Sequence, residues 1–153
     1  MRPVFRNGEI MIKLFFVFLF LVPSSFAVDS YKITLPNGLN IDAEVAKNKE
    51  RGLQERESLC RTCGMIFIYD KDGYHRFWMK DTLINLAMLW IDKDGKIVHM
   101  VKNAEPCIGK KNPFTECEIY SPKSPAKYVL EVNPEAASGV EPGMRVKFVS
   151  PVP

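Results

Sequence analysis

The sequence has little excess charge, and this shortage excludes one class of partner. The chain carries 21 Lys and Arg against 18 Asp and Glu. Residues 1–27 hold three of the basic and one of the acidic residues, so residues 28–153 carry a formal net charge of only +1. Basic clusters are absent, and Lys110-Lys111 is typical of a solvated loop. We therefore expect no binding to nucleic acid, which depends on concentrated positive charge.

Familiar catalytic and metal-binding patterns are also missing. The sequence shows no Ser-His-Asp order and no nucleophile elbow. His75 and His99 are the only histidines, and we predict surface or packing roles for them rather than a ligand pair. Residues 70–73 and 92–95 resemble fragments of a calcium loop without its distal glutamate, so we interpret both as hairpin turns. The sequence thus predicts no metal and no cofactor, and it favours a non-enzyme without deciding the question.

Long hydrophobic runs are lacking too. The longest, Leu14–Val22, is too short for a membrane-spanning helix, which needs about 20 apolar residues. Lys13 precedes this run, and small residues, Ser25 and Ala27, follow it at the positions that a signal peptidase recognises. We expect residues 1–27 to be a signal peptide, and 28–153 to be one periplasmic or secreted domain with no stable membrane anchor after cleavage.

Short strands separated by turn residues make up most of the remaining chain. Tyr31–Leu35 and Leu39–Val45 alternate apolar and polar residues on either side of Pro36-Asn37-Gly38, which indicates a hairpin. Asn48 is placed to cap a short helix that ends near Ser58. The other predicted strands are 64–69 with its hairpin partner 74–80, then 86–91 (buried on both faces), 96–102, 127–132 and 145–149.

This pattern predicts a mainly β fold, a compact antiparallel β-sandwich or barrel with one short helix. The helix–strand alternation of a parallel α/β sheet is absent. Residues 103–126 are rich in proline and are predicted to form a long irregular loop. We find no internal repeat.

Seven short motifs follow one another along residues 33–149. They are Arg51-Gly52-Leu53 with Arg56 and Leu59; Gly64-Met65 with Phe67; Phe77-Trp78-Met79-Lys80 with Thr82-Leu83-Ile84; Ile91-Asp92 with Asp94-Gly95 and Ile97-Val98; Glu105-Pro106-Cys107; Tyr128-Val129-Leu130-Glu131; and Gly139 with Pro142-Gly143. In order and spacing they resemble the bacterial and archaeal family known as domain of unknown function 192. The resemblance implies a compact, mostly antiparallel β domain, often exported, with no agreed activity.

The chain departs from that family's pattern at several positions. Ala87 stands where the family usually has Asp, Asp81 where it has Asn, and Gln54 where it has Met. The Cys60-x-x-Cys63 pair is an addition. The missing carboxylate at Ala87 weakens any catalytic or metal-binding role for that position.

Four cysteines, all within 28–153, are the main candidates for covalent chemistry. In an oxidising compartment we expect two disulfides, Cys107–Cys117 and Cys60–Cys63, because each pair is close in sequence. A four-thiolate zinc site is an alternative, but Cys107 and Cys117 lack the knuckle spacing. A redox-active Cys60-x-x-Cys63 is another, although this pair follows the predicted helix instead of preceding it.

A stripe of polar and aromatic side chains is the candidate binding surface. On a strand of period two, Arg76, Trp78 and Lys80 share the face opposite Phe77 and Met79. An indole between two cations suits stacking on a sugar or holding an acidic group. Further candidates for the same surface are Arg51, Arg56 and Glu105. The competing interpretation places Trp78 in the core.

Three functions follow from these features. The first is a non-catalytic exported domain that binds a small polar or cell-envelope ligand. The second is an enzyme, either a thiol–disulfide protein that uses Cys60 and Cys63 or a hydrolase. The third is a structural envelope protein stabilised by its disulfides.

Overall fold

The computed structural model describes residues 30–151, and the predicted signal peptide lies outside that range. Among these residues no helix is long and apolar enough to cross a membrane. The strands are β1 (Ser30–Thr34), β2 (Asn40–Val45), β3 (Cys63–Gly73), β4 (Leu86–Ile91), β5 (Ile97–Ala104), β6 (Ala126–Val132) and β7 (Lys147–Pro151). One short helix, α1, spans Pro113–Glu116, and a 3₁₀ turn spans Pro134–Ala137.

The seven strands form one sheet in the order β5-β4-β6-β3-β2-β1-β7. Every neighbouring pair is antiparallel except β2 and β3, which run parallel with Asp42 opposite Cys63 and Val45 opposite Ile66. The prediction of a mainly β fold with one short helix is confirmed. The sheet is mixed, and it is not closed into a barrel.

The sheet curls around one hydrophobic core. Backbone bonds link the start of β5 to the segment just before β7: Ile97 donates to Met144, and Val146 donates to Gly95. Buried side chains of β1 to β6 and of the 3₁₀ turn form this core, and Phe148 of β7 packs against it while partly exposed. We call this cluster the curled-sheet core; its buried members are Ile33, Leu35, Ile41, Ala43, Ile66, Ala87, Leu89, Ile91, Ile97, Leu130, Val132, Ala136, Ala137, Val140 and Val146.

The opposite face of the sheet packs against loops. This loop-covered core consists of Ala46, Leu53, Leu59, Met65, Phe67, Phe77, Met79, Leu86, Met88, Trp90, Ala104, Ala126 and Val129. Trp90 is fully buried there, and its indole N–H donates to the carbonyl of His75 at 2.8 Å. Because β4 contributes to both cores, every one of its residues is buried, as its unbroken apolar sequence predicted.

Two predicted elements are wrong. Residues 74–80 do not pair with β3, because both edges of β3 are occupied by β2 and β6. This segment instead crosses the loop-covered core, buries Phe77 and Met79, and forms single bridges to Tyr120 and Cys107. Residues 48–58 form successive turns rather than a helix, although Asn48 does accept the N–H groups of Glu50 and Arg51 as a cap would.

Both predicted disulfides are present, so all four sulfurs are bonded in pairs. Cys60–Cys63 closes the turn that leads into β3, and Cys107–Cys117 closes the loop that carries α1. A tetrathiolate zinc site is incompatible with this pairing.

Asp92 stabilises the turn between β4 and β5. Asp92 Oδ1 accepts the N–H groups of Asp94 at 2.9 Å and of Lys96 at 2.8 Å. Gly95 follows with φ of +81°, and a Cβ there would lie 2.9 Å from the carbonyl oxygen of Val146. The interpretation of residues 92–95 as a hairpin turn is therefore confirmed, whereas that of residues 70–73 is wrong, because they form the end of β3.

Alanine at Gly95 is expected to destabilise the fold more than alanine at Gly139. Both glycines have positive φ, but nothing lies within 4 Å of a Cβ at Gly139. Gly139→Ala should lower the free energy of unfolding by about 1 kcal/mol through left-handed strain, and Gly95→Ala by more than about 2 kcal/mol because the Val146 carbonyl must also move. Urea unfolding with intact disulfides measures both, and equal losses would contradict the importance of this contact.

Candidate functional site

A cavity of about 460 Å³ opens between the sheet and the loops that cover it. Its floor is formed by Phe67 and Tyr69 of β3 and by Glu131 of β6. Residues 49–54 form one wall, and residues 76–78 with Phe114 form the other. We call this cavity the Glu131 pocket. Its volume falls within the range of about 300–1,000 Å³ that is usual for small-molecule sites.

Glu131 reaches the floor because of its position in the sheet. It lies opposite Met65 on β3 and Met88 on β4, so two apolar side chains flank its carboxyl group. The residue is only 4% exposed. Its Oε2 is buried and has no hydrogen-bond partner among residues 30–151. A buried polar atom without a partner is rare in native proteins and calls for a reason.

Two side chains of the floor, Glu131 and Tyr69, are protonated at neutral pH. Burial raises the pKa of Glu131 to about 8. Burial, with a smaller effect of the Glu131 charge, raises the pKa of Tyr69 to about 12. At neutral pH the floor therefore offers a carboxylic acid and a phenol, both uncharged and both able to donate and accept hydrogen bonds.

The two histidines act as packing residues, as predicted. His75 stacks on Tyr69 with ring centroids 3.4 Å apart and planes 7° apart. Burial lowers the pKa of His75, so the stacked imidazole is neutral near pH 7. His99 contacts the ring of Trp90 from β5. Through its stack, His75 restrains the ring of Tyr69, which lines the pocket.

The mouth of the pocket is lined by charged side chains. Lys49 lies with its Nζ 4.7 Å from the centroid of the Tyr69 ring. Arg51 is bonded to Glu55 at 2.8 Å. Arg76 is exposed and forms no hydrogen bond or ion pair with any of the described residues. Glu50 is also present, so the mouth is positive but not uniformly so.

An aromatic pair forms the outer wall. Trp78 is half-buried, and its ring centroid lies 5.1 Å from that of Phe114, which is 77% exposed. Phe114 belongs to α1, inside the loop that the Cys107–Cys117 disulfide closes. The disulfide therefore restrains the residue that completes this wall.

The structure brings half of the predicted binding residues together. Arg51, Arg76 and Trp78 line the Glu131 pocket. Lys80 lies in an adjoining groove, with its Nζ 5.8 Å from the Trp78 ring.

The other two predicted residues lie elsewhere. Arg56 forms an ion pair with Glu44 of β2, and Glu105 lines a separate polar depression with His99 and Tyr120. Cys60 and Cys63 do not line the Glu131 pocket either.

Two departures from the family pattern have clear structural settings. Ala87 is fully buried in the curled-sheet core, on the face of the sheet away from the Glu131 pocket. Asp81 has φ of +52°, a left-handed conformation that both Asn and Asp tolerate better than most residues. Its carbonyl accepts the N–H of Glu55 at 2.8 Å, which ties the two walls of the pocket together.

Sequence reasoning missed the residues of the floor. Glu131 lies in a family motif and in the predicted strand 127–132, but neither predicts a role for it. The available signal was that residues 129–132 are apolar apart from Glu131. Leu130 and Val132 face one core, and Glu131 shares the opposite face with Val129, so its carboxyl group is buried as well. Tyr69 carried no comparable signal. Phe114 was hidden in a loop whose path the sequence does not specify.

The arrangement can hold a small molecule but is not assembled to hold a metal ion. In residues 30–151 no group of three or more His, Cys, Asp or Glu side chains is placed to ligate one. A ligand that reaches the floor can hydrogen-bond to the carboxyl group of Glu131 while its outer part contacts the cations and aromatic rings at the mouth.

The raised pKa of Glu131 predicts a specific pH dependence of stability. Its pKa is above the ordinary value of 4.5, so between about pH 4.5 and 8 the native state binds more protons than the unfolded state, and stability falls as pH rises. Glu131→Gln removes this loss. We expect the variant to gain stability relative to the wild type from pH 5 to pH 8, by on the order of 1 kcal/mol per pH unit.

Urea unfolding of both proteins at the two pH values measures this difference. Glu135→Gln, which removes an exposed carboxylate, is the matched control and should show a much smaller change. A stability difference independent of pH would mean that Glu131 is ionised in the native protein.

Known proteins similar to this chain match most of its described length. The family model described as "Uncharacterized ACR", DUF192, matches residues 32–148. A crystal structure from Sinorhizobium meliloti 1021, provisionally described as a transcription regulator, is 28% identical with a TM-score of 0.65 and covers 78% of this chain and 92% of its own. No curated protein gives a significant match.

A second crystal structure, of a protein of unknown function from Novosphingobium aromaticivorans DSM 12444, is 26% identical with a TM-score of 0.65. It covers 78% of this chain and 84% of its own. The fold, the ordered motifs and the match of the family model over residues 32–148 lead to one assignment. The chain belongs to the DUF192 family.

Proposed function

We propose that this protein is an exported, non-catalytic binding protein that holds a small polar ligand in the Glu131 pocket. The observation that carries the proposal is the carboxyl group of Glu131, which lines an open cavity and has a buried Oε2 without a hydrogen-bond partner among the described residues. Leaving a buried polar group unsatisfied costs roughly 1–3 kcal/mol. A ligand that hydrogen-bonds to this oxygen recovers that energy, whereas a purely structural envelope protein gives no reason to keep the carboxyl group.

The wall and mouth of the pocket support the same function. Trp78 and Phe114 offer ring faces to a ligand, and Arg76 offers donors that no described residue uses. Aromatic and guanidinium groups are the side chains that contribute most to binding sites.

Export is supported by two features. Two disulfides involve all the cysteines of the chain, and such bonds persist in oxidising compartments. The apolar run Leu14–Val22, between Lys13 and the small residues Ser25 and Ala27, is typical of a signal peptide.

The same carboxyl group favours an enzyme as the second candidate. A buried acid with a pKa near 8 is suited to proton transfer at neutral pH. The two functions differ in the fate of the ligand: a binding protein returns it unchanged, and an enzyme returns a product. Nuclear magnetic resonance of the ligand recovered after prolonged incubation separates them.

Glu131→Met is expected to make the protein more stable and less able to bind. Methionine has a similar length and fits between Met65 and Met88, so removing the unsatisfied carboxyl group should raise the free energy of unfolding by about 1–3 kcal/mol. Loss of the hydrogen bond at the floor should weaken ligand binding by roughly tenfold. Opposite effects on stability and binding are typical of a residue kept for function.

The experiment uses the protein purified from the periplasm with its disulfides intact. A panel of small polar molecules is tested by thermal shift and then by calorimetry on the wild type, Glu131→Met and Trp78→Ala. Arg61→Ala, an exposed change outside the pocket, is the control. A ligand whose affinity is unchanged in both pocket variants would contradict the proposal.

A further inference from the structure

Two cations at the mouth of the Glu131 pocket, Lys49 and Arg76, form no ion pair with any of the described residues, and Arg76 also lacks a ring contact. Arg51 is engaged by Glu55, and Lys49 lies over the ring of Tyr69. Arg76 is exposed and, within residues 30–151, has neither an ion pair nor a hydrogen bond. A guanidinium group binds a carboxylate through two parallel hydrogen bonds. The mouth is therefore suited to a ligand with a carboxylate at its outer end.

The floor of the pocket, unlike its mouth, suits an uncharged part of the ligand. Burial keeps both Glu131 and Tyr69 protonated at neutral pH. Apolar Phe67 lies beside them, and a Cβ on Gly52 would be 3.1 Å from the Phe67 ring and 3.8 Å from Glu131 Oε2. A charged group has no counter-ion in this narrow space and would be strongly desolvated. Neutral hydroxyl groups, which donate and accept, match the two floor oxygens.

The wall between mouth and floor is aromatic. Trp78 and Phe114 are tilted by 48° with centroids 5.1 Å apart, and Lys80 lies beside the indole with its Nζ 5.8 Å from the centroid. A flat apolar face on the ligand can pack against such rings while its polar edges point elsewhere. A pyranose ring has this form, with C–H groups on its face and hydroxyl groups at its edge.

From these three positions we propose that the pocket binds an acidic sugar, a pyranose that carries a carboxylate. The carboxylate pairs with Arg76, the C–H face packs on Trp78, and ring hydroxyl groups bond to Glu131 and Tyr69. This inference rests on the proposed binding function and names its ligand class. The ligand is either a free hexuronate or the terminal residue of an acidic glycan, since both present the same chemistry at the pocket.

Two sugars that differ at one carbon provide the test. D-glucuronate has a carboxylate where D-glucose has a hydroxymethyl group, and both are titrated by calorimetry into the wild-type protein with intact disulfides. We expect glucuronate to bind at least about tenfold more tightly than glucose, because one charge-assisted pair is worth roughly 1.4 kcal/mol or more. A glucuronate trisaccharide, titrated alongside, distinguishes a glycan end from a free monosaccharide.

Variants assign the preference to the proposed residues. Arg76→Gln should reduce glucuronate binding to the level of glucose, and Arg61→Gln, an exposed change remote from the pocket lining, should preserve the preference. Glu131→Met, which removes the hydrogen-bonding group at the floor, should weaken both sugars by a similar factor. Equal binding of the two sugars, a preference that survives Arg76→Gln, or no binding of either sugar would overturn the acidic-sugar inference.

Failure of this inference is distinguishable from failure of the binding function. If neither sugar binds but another small molecule binds and is lost in Glu131→Met, the pocket is a ligand site for a different class. If sugars bind equally well to the wild type, Glu131→Met and Trp78→Ala, the pocket is not where they bind, and both proposals are overturned.

Discussion

Strands β2 and β3 are adjacent both in the chain and in the sheet, and they run parallel. Parallel neighbours require the intervening chain to cross back over the sheet, so residues 46–62 must cover one of its faces. That crossing brings Gly52 above the ring of Phe67 and close to Glu131. Without the parallel pair there would be no covering loop, and the carboxyl group of Glu131 would face solvent. The pocket is thus a consequence of strand direction.

The same crossing creates an energetic conflict at the centre of the sheet. Interior strands of a sheet covered on both faces are stabilised by apolar side chains, and β4 obeys this rule throughout. Strand β6 breaks it at Glu131, which is flanked by Met65 and Met88. Local conflict of this kind is concentrated at functional sites, because packing alone would select an apolar residue. Protonation relieves part of the conflict, since a neutral acid is less costly to bury than a carboxylate.

Much of the fold could be predicted from sequence because its strands have local signatures. The hairpin of β1 and β2 follows from alternation around a Pro-Asn-Gly turn, β4 from its unbroken apolar run, and both disulfides from short cysteine separations. Pairing between β3 and β6 had no such signature, since these strands are separated by more than 50 residues of chain. Alternation in residues 74–80 correctly placed Phe77 and Met79 inside, but it could not show that they cover a sheet instead of extending it.

The candidate site was predictable only in its outer parts. Trp78 and Arg76 are predicted by their residue types and spacing, and Arg51 only as a further candidate, whereas the floor depends on two long-range strand pairings. The sheet supplies that floor from β3 and β6, and the loops supply the walls, which are joined to each other by few backbone bonds. Substitutions and insertions in those loops leave the ladder of the sheet intact. In evolutionary terms, descendants of this domain can acquire new ligand preferences by changing the walls alone, because the floor is held by the sheet.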